Sequence, residues 1–347
     1  MAIIDKCLTD KFAIYNSDTM EVLPSLPDES IDFTVYSPPF PQMYAYSNDP
    51  RDMSNCTTYE EGMDQYQFIV NEIYRLTKPG RLTAVHCMDL PKSKLTKNTF
   101  PSDIERAHIA AGFHYSCTIT VWKDPWLIAR RTRMKTLRHM DLCKDSAQVQ
   151  VGPADYIKVF IKGGANAEPV EHLEGLKTYA GETEIPEHLV SKYKNYKGDQ
   201  KKNLLSHWIW RRYASPVWMD IRTGRLLPYV ESKENEEEKH VCPLQLDVIE
   251  RLLTLYSNPG DRVLTPFMGV GSEVFQALEM GRFAIGTELK PSYFRQAKKN
   301  LESVGKVIPM EVGGLFDDQE TEEDLWDESD SENDDESEMV EVEEFDA

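Results

Sequence analysis

Ile31-Asp32-Phe33-Thr34-Val35-Tyr36-Ser37-Pro38-Pro39-Phe40-Pro41 is a β-branched and aromatic run that stops at two prolines. The run reads as a buried strand. The prolines can neither donate to a sheet ladder nor continue a helix. The strand therefore ends in a stiff loop carrying one hydroxyl, several unpaired carbonyls and an aromatic ring. Such a loop suits a flat, polar, π-faced ligand.

Upstream, Phe12–Tyr15 reads as a short strand, Asn16-Ser17-Asp18 as a turn with an N-cap, and Thr19–Leu26 as a short helix. Strand, helix, strand is a βαβ unit and predicts a parallel sheet. Downstream, residues 42–60 form a long polar segment with Tyr44, Tyr46 and Tyr59, the length of a lid or binding loop. The pattern then predicts a helix over 61–77 ended by Lys78-Pro79-Gly80, a strand at Leu82–Cys87, a helix at Ile104–Ala111, and strands at Tyr115–Trp122 and Asp155–Ile161. The connection between the last two holds Arg130, Arg131, Arg133, Lys135 and Arg138. Helical spacing gathers several of these on one cationic face, which is either simply solvated or a phosphate-contacting arm.

From Gly163 to about Ala214 the α/β rhythm fails. Basic and aromatic residues interleave there: Lys192 to Lys197 with Tyr193 and Tyr196, then Lys201, Lys202, Trp208, Trp210, Arg211, Arg212 and Tyr213. That composition suits stacking and backbone neutralisation on nucleic acid; the alternative is a surface insertion held by its own tryptophans.

A helix over about Leu244–Tyr256 leads into a second informative stretch, Asp261-Arg262-Val263-Leu264-Thr265-Pro266-Phe267-Met268-Gly269-Val270-Gly271-Ser272. A helix, a strand at Phe283–Thr287 and Glu288 follow, and a last helix spans about Ser292–Val304. Strand, glycine turn, helix, strand and terminal acid form a nucleoside-binding βαβ unit, in which the acid takes both ribose hydroxyls. Val274 stands where a dinucleotide fingerprint has its third glycine, and no Walker lysine follows Gly271. A cofactor without pyrophosphate fits, S-adenosyl-L-methionine being the common one.

Together the two stretches resemble the amino-methylating DNA methyltransferases, which act on the exocyclic nitrogen of adenine or cytosine. Ser37-Pro38-Pro39-Phe40 matches that family's catalytic (Asp/Asn/Ser)-Pro-Pro-(Tyr/Phe) motif. Pro266, Phe267, Gly269 and Gly271 match its cofactor motif, and Lys239 to Leu244 is similar to its pocket-completing segment. Catalytic motif first and cofactor motif last is similar to the family's β-type order. The resemblance implies an α/β, Rossmann-like methyltransferase fold, circularly permuted, with a mixed, mostly parallel sheet. It implies a catalytic part at 1–162, a target-recognition insert at 163–214 and a cofactor-binding part at 215–312. Ser37, Pro38, Pro39 and Phe40 become the catalytic residues, and Asp18, Pro243, Thr265, Phe267, Gly269, Gly271 and Glu288 the cofactor residues. Arg130, Arg131, Arg133, Lys135, Arg138, Lys201, Lys202, Arg211 and Arg212 become the contacts to double-stranded DNA. Ser37 would orient the target amine rather than act as a strong base, with the proton leaving through water. Within the family, serine at this position leans toward cytosine N4 over adenine N6. One departure is Thr265, which stands where the family usually has aspartate.

Composition is consistent with this. At 40% hydrophobic the chain is globular, and no apolar run approaches the ~18 residues of a membrane span. The net charge of −20 argues against a nucleic-acid partner only until its location is seen: Asp317 to Asp346 holds eighteen acidic and no basic residues, all but two of the net charge. This segment, 313–347, reads as a disordered acidic tail, either a solvated appendage or an intramolecular DNA mimic. Six cysteines without a Cys-x-x-Cys pair predict reduced thiols, no structural metal and a cytoplasmic setting; the resemblance implies that of a bacterial cell or a phage-infected host. Oligomeric state is left open.

Overall fold

A computed structural model of the chain describes residues 3–41, 49, 51–92, 96–125, 128, 139–232 and 243–306. The acidic tail, the arginine-rich stretch 130–138, residues 42–48 and 50 of the polar segment 42–60, and residues 239–242 lie outside the described residues.

Among the described residues nine strands form one sheet: β1 (Asp5–Leu8), β2 (Phe12–Asn16), β3 (Ile31–Tyr36), β4 (Thr77–Met88), β5 (His114–Val121), β6 (Asp155–Ile161), β7 (Val217–Trp218), β8 (Arg262–Thr265) and β9 (Phe283–Glu288). Their spatial order is β1-β2-β9-β8-β3-β4-β6-β5-β7. The run from β2 through β9, β8 and β3 to β4 is parallel, as is the β5–β7 pair; β1, and the β4–β6 and β6–β5 pairs, are antiparallel. The mixed, mostly parallel sheet predicted from the sequence is present. β2 and β3 do run parallel, but β9 and β8, from the far end of the chain, lie between them.

The described helices are α1 (Thr19–Val22), α2 (Tyr59–Leu76), α3 (Phe100–Ala111), α4 (His139–Asp145), α5 (Glu187–Tyr193), α6 (Leu204–Tyr213), α7 (Leu246–Tyr256), α8 (Ser272–Glu279) and α9 (Pro291–Leu301). In α2, buried Tyr66, Ile69, Val70 and Ile73 recur at three- and four-residue spacing on one face, and the Thr58 side chain accepts from Glu61 N at its start. α2 and α3 pack on one side of the sheet with Tyr36, Val85 and Leu264. α7, α8 and α9 cover the other with Phe33, Val35 and Val263. Covered on both faces, all six residues of β3 are buried.

The sequence pattern places Lys78-Pro79-Gly80 at a helix end. Instead α2 closes at Leu76, and those three residues enter β4, where the β3–β4 register shifts between Ile31 and Phe33. The predicted first helix is also shorter: α1 stops at Val22, and Leu23–Ser25 continues as a 3-10 turn with Pro24 in its first turn.

The 163–214 segment folds around α5 and α6, with Leu189, Leu205, Ile209 and Tyr213 as its own small core. Arg251 of α7 fixes it to the sheet layer. This guanidinium is fully buried; it donates to Ala180 O (2.7 Å) and to Asp220 (2.8 Å). Tyr179, Tyr213 and Trp218 surround it with ring centroids 5.1–5.4 Å away, a desolvated cation–π cage.

Candidate active site

β3 and β8 are parallel neighbours, with Val263 beside Phe33 and Leu264 beside Thr34. The loop after Tyr36 therefore emerges next to the turn after Thr265. There the Tyr36 and Phe267 rings meet at a centroid distance of 5.8 Å. Open α/β sheets place their ligands in this crevice, outside the carboxyl ends of the strands. Pro38 is buried, while Ser37, Pro39 and Phe40 keep partial exposure. Phe40 stands edge-on to Phe100 at 5.8 Å.

Ser37 has partners that sequence reasoning missed. Tyr36 pairs with Val85 across the β3–β4 ladder, which sets His86 beside Ser37, with Nδ1 3.1 Å from the serine Oγ. The other ring nitrogen, Nε2, is 2.9 Å from Asp155 Oδ2. That approach is off the line of the ring N–H and is an ion-pair contact rather than an aligned hydrogen bond. Lys123, just after β5, reaches the same Asp155 oxygen at 2.6 Å. Burial alone would raise the Asp155 pKa, but Lys123 and His86 hold its carboxyl well below the usual carboxylate range. Four residues from four separate segments thus form one line: Ser37, His86, Asp155, Lys123. A histidine inside an apolar strand and an aspartate opening another were the available signals in the sequence.

The glycine turn is built for a ligand. Gly269 and Gly271 have φ of +52° and +92°, left-handed values that glycine adopts without cost, and Gly271 forms the N-cap of α8. A Cβ on Gly269 would meet nothing within 4 Å, so the turn faces open space. Glu288 is held from two sides: its Oε2 accepts from Gly269 N (2.9 Å) and its Oε1 from Lys290 N (2.8 Å). Burial pushes its carboxyl up to about 7 against the lowering effect of these two bonds. Glu273, buried at the start of α8, is pushed by burial up to about 8. Its carboxyl is a further acid that the motifs do not single out. Thr265 Oγ1 and Ser272 Oγ are buried with no hydrogen-bond partner among the described residues. Orphaned polar atoms, an open glycine turn and a pinned acid fit a small polar nucleoside cofactor such as S-adenosyl-L-methionine.

The other assigned cofactor residues divide. Asp18 caps α1, its Oδ1 accepting from Met20 N (2.8 Å). It lies by the same strand end, because Ser17 N donates to Glu288 O (3.0 Å) and Thr19 bonds Pro266 O. Phe267 is partly exposed beside Tyr36. Pro243 is buried just before α7, and the segment preceding it lies outside the described residues.

Of the assigned DNA contacts, Lys201, Lys202 and Arg211 are exposed. Arg212 is not a free cation: its guanidinium lies 3.4 Å from the Trp208 ring centroid and 3.7 Å from Asp220. Trp208 and Tyr213 likewise pack against Tyr179, so part of the aromatic series holds the insert together. Trp210 remains 55% exposed. Arg130, Arg131, Arg133, Lys135 and Arg138 lie outside the described residues.

No helix among the described residues is long and apolar enough to cross a membrane. Asp32, Glu168 and Asp261 cluster on a metal-like spacing, but Lys78 pairs with Asp32 (2.6 Å) and the buried Arg81 with Asp261.

Comparison with known proteins agrees with this geometry. M.BglII of Bacillus subtilis, a type II methyltransferase, is 25% identical over 282 residues; these are 81% of this chain and 66% of M.BglII, so the chain spans just under two thirds of that curated relative. TTHA0409 of Thermus thermophilus, solved with S-adenosyl-L-methionine, superposes with a TM-score of 0.52 at 21% identity, covering 82% of this chain and 92% of that one. The cytosine-N4-specific PvuII DNA methyltransferase superposes with a TM-score of 0.56 at 15% identity, covering 94% of each chain. These structures share the fold. The family model for DNA methylases of the N6/N4 class matches residues 31–299, from the first residue of β3 to the last turn of α9, and the chain therefore belongs to the N6/N4 DNA methylase family.

Proposed function

We propose that this protein transfers a methyl group from S-adenosyl-L-methionine to the exocyclic amine of a base flipped out of double-stranded DNA, and that the base is cytosine, methylated at N4. The observation that carries the reading is the adjacency of two strand ends. Ser37-Pro38-Pro39-Phe40 emerges from β3 beside the Gly269–Gly271 turn after β8, with Glu288 at the end of the next strand. When bound, the cofactor supplies an electrophilic methyl on a sulfonium. Glu288 takes the ribose hydroxyls, and the glycine turn gives the rest of the cofactor close access to backbone.

The chain's own residues do the remainder. An amine inside a duplex is out of reach, so the base is extruded, at a cost of a few kcal/mol. Phe40 stacks on the ring and recovers about 1–3 kcal/mol. The Ser37 hydroxyl and the Pro38 carbonyl accept hydrogen bonds from the amine, which turns its lone pair out of the ring plane for in-line attack. Lys201, Lys202 and Arg211 neutralise the DNA backbone, with 163–214 as target-recognition insert and the tail past residue 313 outside the catalytic work. The reading places the protein where cellular DNA is, the cytoplasm of a bacterium or a phage-infected host.

The test is methyl transfer from labelled cofactor to DNA, RNA and protein in parallel, followed by nucleoside mass analysis. Label in DNA as N4-methylcytosine is the expected result. N6-methyladenine would keep the reaction class and overturn the base, and label confined to RNA or protein would overturn the substrate.

A further inference from the structure

We propose that His86 is the proton acceptor for Ser37, so that Ser37, His86 and Asp155 form a relay that removes the amine proton during transfer. The inference rests on the amine-methyltransferase reading and deepens it. On the protein side Ser37 Oγ is 3.1 Å from His86 Nδ1, and His86 Nε2 lies 2.9 Å from Asp155 Oδ2 as an ion-pair contact. Asp155 is buried and Ser37 partly exposed, so the line runs from the crevice into the sheet.

The need for an acceptor follows from the chemistry. As the amine nitrogen forms its bond to the methyl carbon, the methyl–sulfur bond breaks and its electron pair stays on sulfur, cancelling the sulfonium charge. The nitrogen then carries that positive charge together with a surplus proton. A serine hydroxyl cannot keep this proton, because it is a far weaker base than imidazole. With His86 behind it, Ser37 takes the N–H proton on Oγ while its own hydroxyl proton passes to Nδ1. The products are a neutral methylated amine, a neutral thioether, an unchanged serine and an imidazolium. Bulk water later takes the imidazolium proton, closing the balance.

Lys123, 2.6 Å from Asp155, also supplies a counter-charge to the carboxylate. When the ring gains a proton, the buried carboxylate lies in ion-pair contact. The arrangement is that of an oriented base behind a hydroxyl, here assembled on a transferase sheet. The relay replaces the direct release to water that the serine motif alone suggests.

His86→Ala and His86→Asn test it. Asparagine can still accept from the Ser37 hydroxyl through its amide oxygen, but cannot hold a proton. The expected result for both is a fall in kcat of roughly 100-fold, the lower end for a lost general base. Cofactor affinity by calorimetry and DNA affinity by anisotropy should stay at the wild-type values. Wild-type kcat in His86→Asn would overturn proton transfer. A spectroscopic reading on the unmutated protein is independent of folding effects: nitrogen-15 histidine spectra should show His86 protonated on Nε2 and bare on Nδ1. A resting Nδ1–H would overturn the relay, since Ser37 could then not donate to it. Should the wild type transfer no methyl group to DNA at all, the methyltransferase reading itself falls, and the relay with it.

Discussion

The carboxylate of Glu288 and the backbone of Gly269 are joined by a 2.9 Å hydrogen bond that closes the end of β9 onto the turn after β8. The acid is therefore oriented before any ligand arrives, with one lone pair on each oxygen already committed to a backbone N–H. Glu288→Ala removes both the ribose acceptor and this tie. Cofactor affinity should drop by about 1.5–3 kcal/mol, the range for a hydrogen bond to a charged group, or roughly 10- to 150-fold in Kd by calorimetry. Unchanged Kd would remove Glu288 from the ribose site.

The two acids near the glycine turn, Glu273 buried and Glu288 partly exposed, make stability depend on pH in an unusual direction. Glu288 and Glu273 have folded values raised to about 7 and about 8, whereas in the unfolded chain each titrates at the ordinary glutamate value. Between those limits the folded state holds protons that the unfolded state has lost. The ligand-free protein should therefore lose stability as pH rises from about 5 to 8 and level off above that. A melting series from pH 5 to 9 measures it, and Glu273→Gln should flatten the upper half. A Tm that climbs through this window would contradict the assignment.

Phe40 carries the stacking role. Phe40→Ala should lower kcat/KM on DNA by roughly 5- to 150-fold, the equivalent of about 1–3 kcal/mol of base stacking, and leave cofactor binding intact. Ser37→Ala should likewise reduce turnover with cofactor binding retained. If both variants turned over at the wild-type rate, the catalytic loop would have been misassigned.

For the insert, Lys201→Ala, Lys202→Ala and Arg211→Ala combined should weaken DNA binding uniformly across sequences. For every phosphate no longer neutralised, the slope of log K against log salt becomes shallower by about 0.9. A salt titration by anisotropy reads the slope directly, and one identical to wild type would exclude these three side chains from the phosphate-binding surface.

Arg251 tests how the insert is attached. Arg251→Ala takes one donor from Asp220, which keeps Tyr179 and Arg212, and leaves Ala180 O without its donor. The expected cost is about 1.5–3 kcal/mol, the range for hydrogen bonds to charged groups, seen as a lower midpoint in urea. A change within 0.5 kcal/mol would mean that the ring cage holds the insert without the charge, since surface substitutions away from special features stay within about that figure.

What the sequence disclosed and what it hid divide along one line. Ser37-Pro38-Pro39-Phe40, the Gly269–Gly271 turn and the β9 strand before Glu288 were legible because each is a local backbone device, written in consecutive residues. His86, Asp155 and Lys123 were not, because they belong to β4, β6 and the segment after β5, and only the β4-β6-β5 strand order brings them together. β1 escaped notice for a different reason. As an edge strand with mostly exposed side chains it shows no apolar alternation. The aromatic series of the insert reads as a whole like a nucleic-acid surface, but a tryptophan that packs and one that projects look alike until α6 has a face. Trp208 packs and Trp210 projects.

The placement of β8 and β9 between β2 and β3 bears on how the molecule is made. The edge of β3 that supports Ser37 gains its β8 neighbour only when residues 262–265 exist, more than two hundred residues after β3 itself. At a synthesis rate of about 5–20 residues per second, roughly 10–50 s pass with that edge open. During this interval the β2 and β3 edges that the later strands occupy are both unsheltered, a state prone to pairing with the wrong chain. Assembly of the site thus waits for β8 and β9, and a nascent chain that lacks them carries two open strand edges that the closed sheet does not.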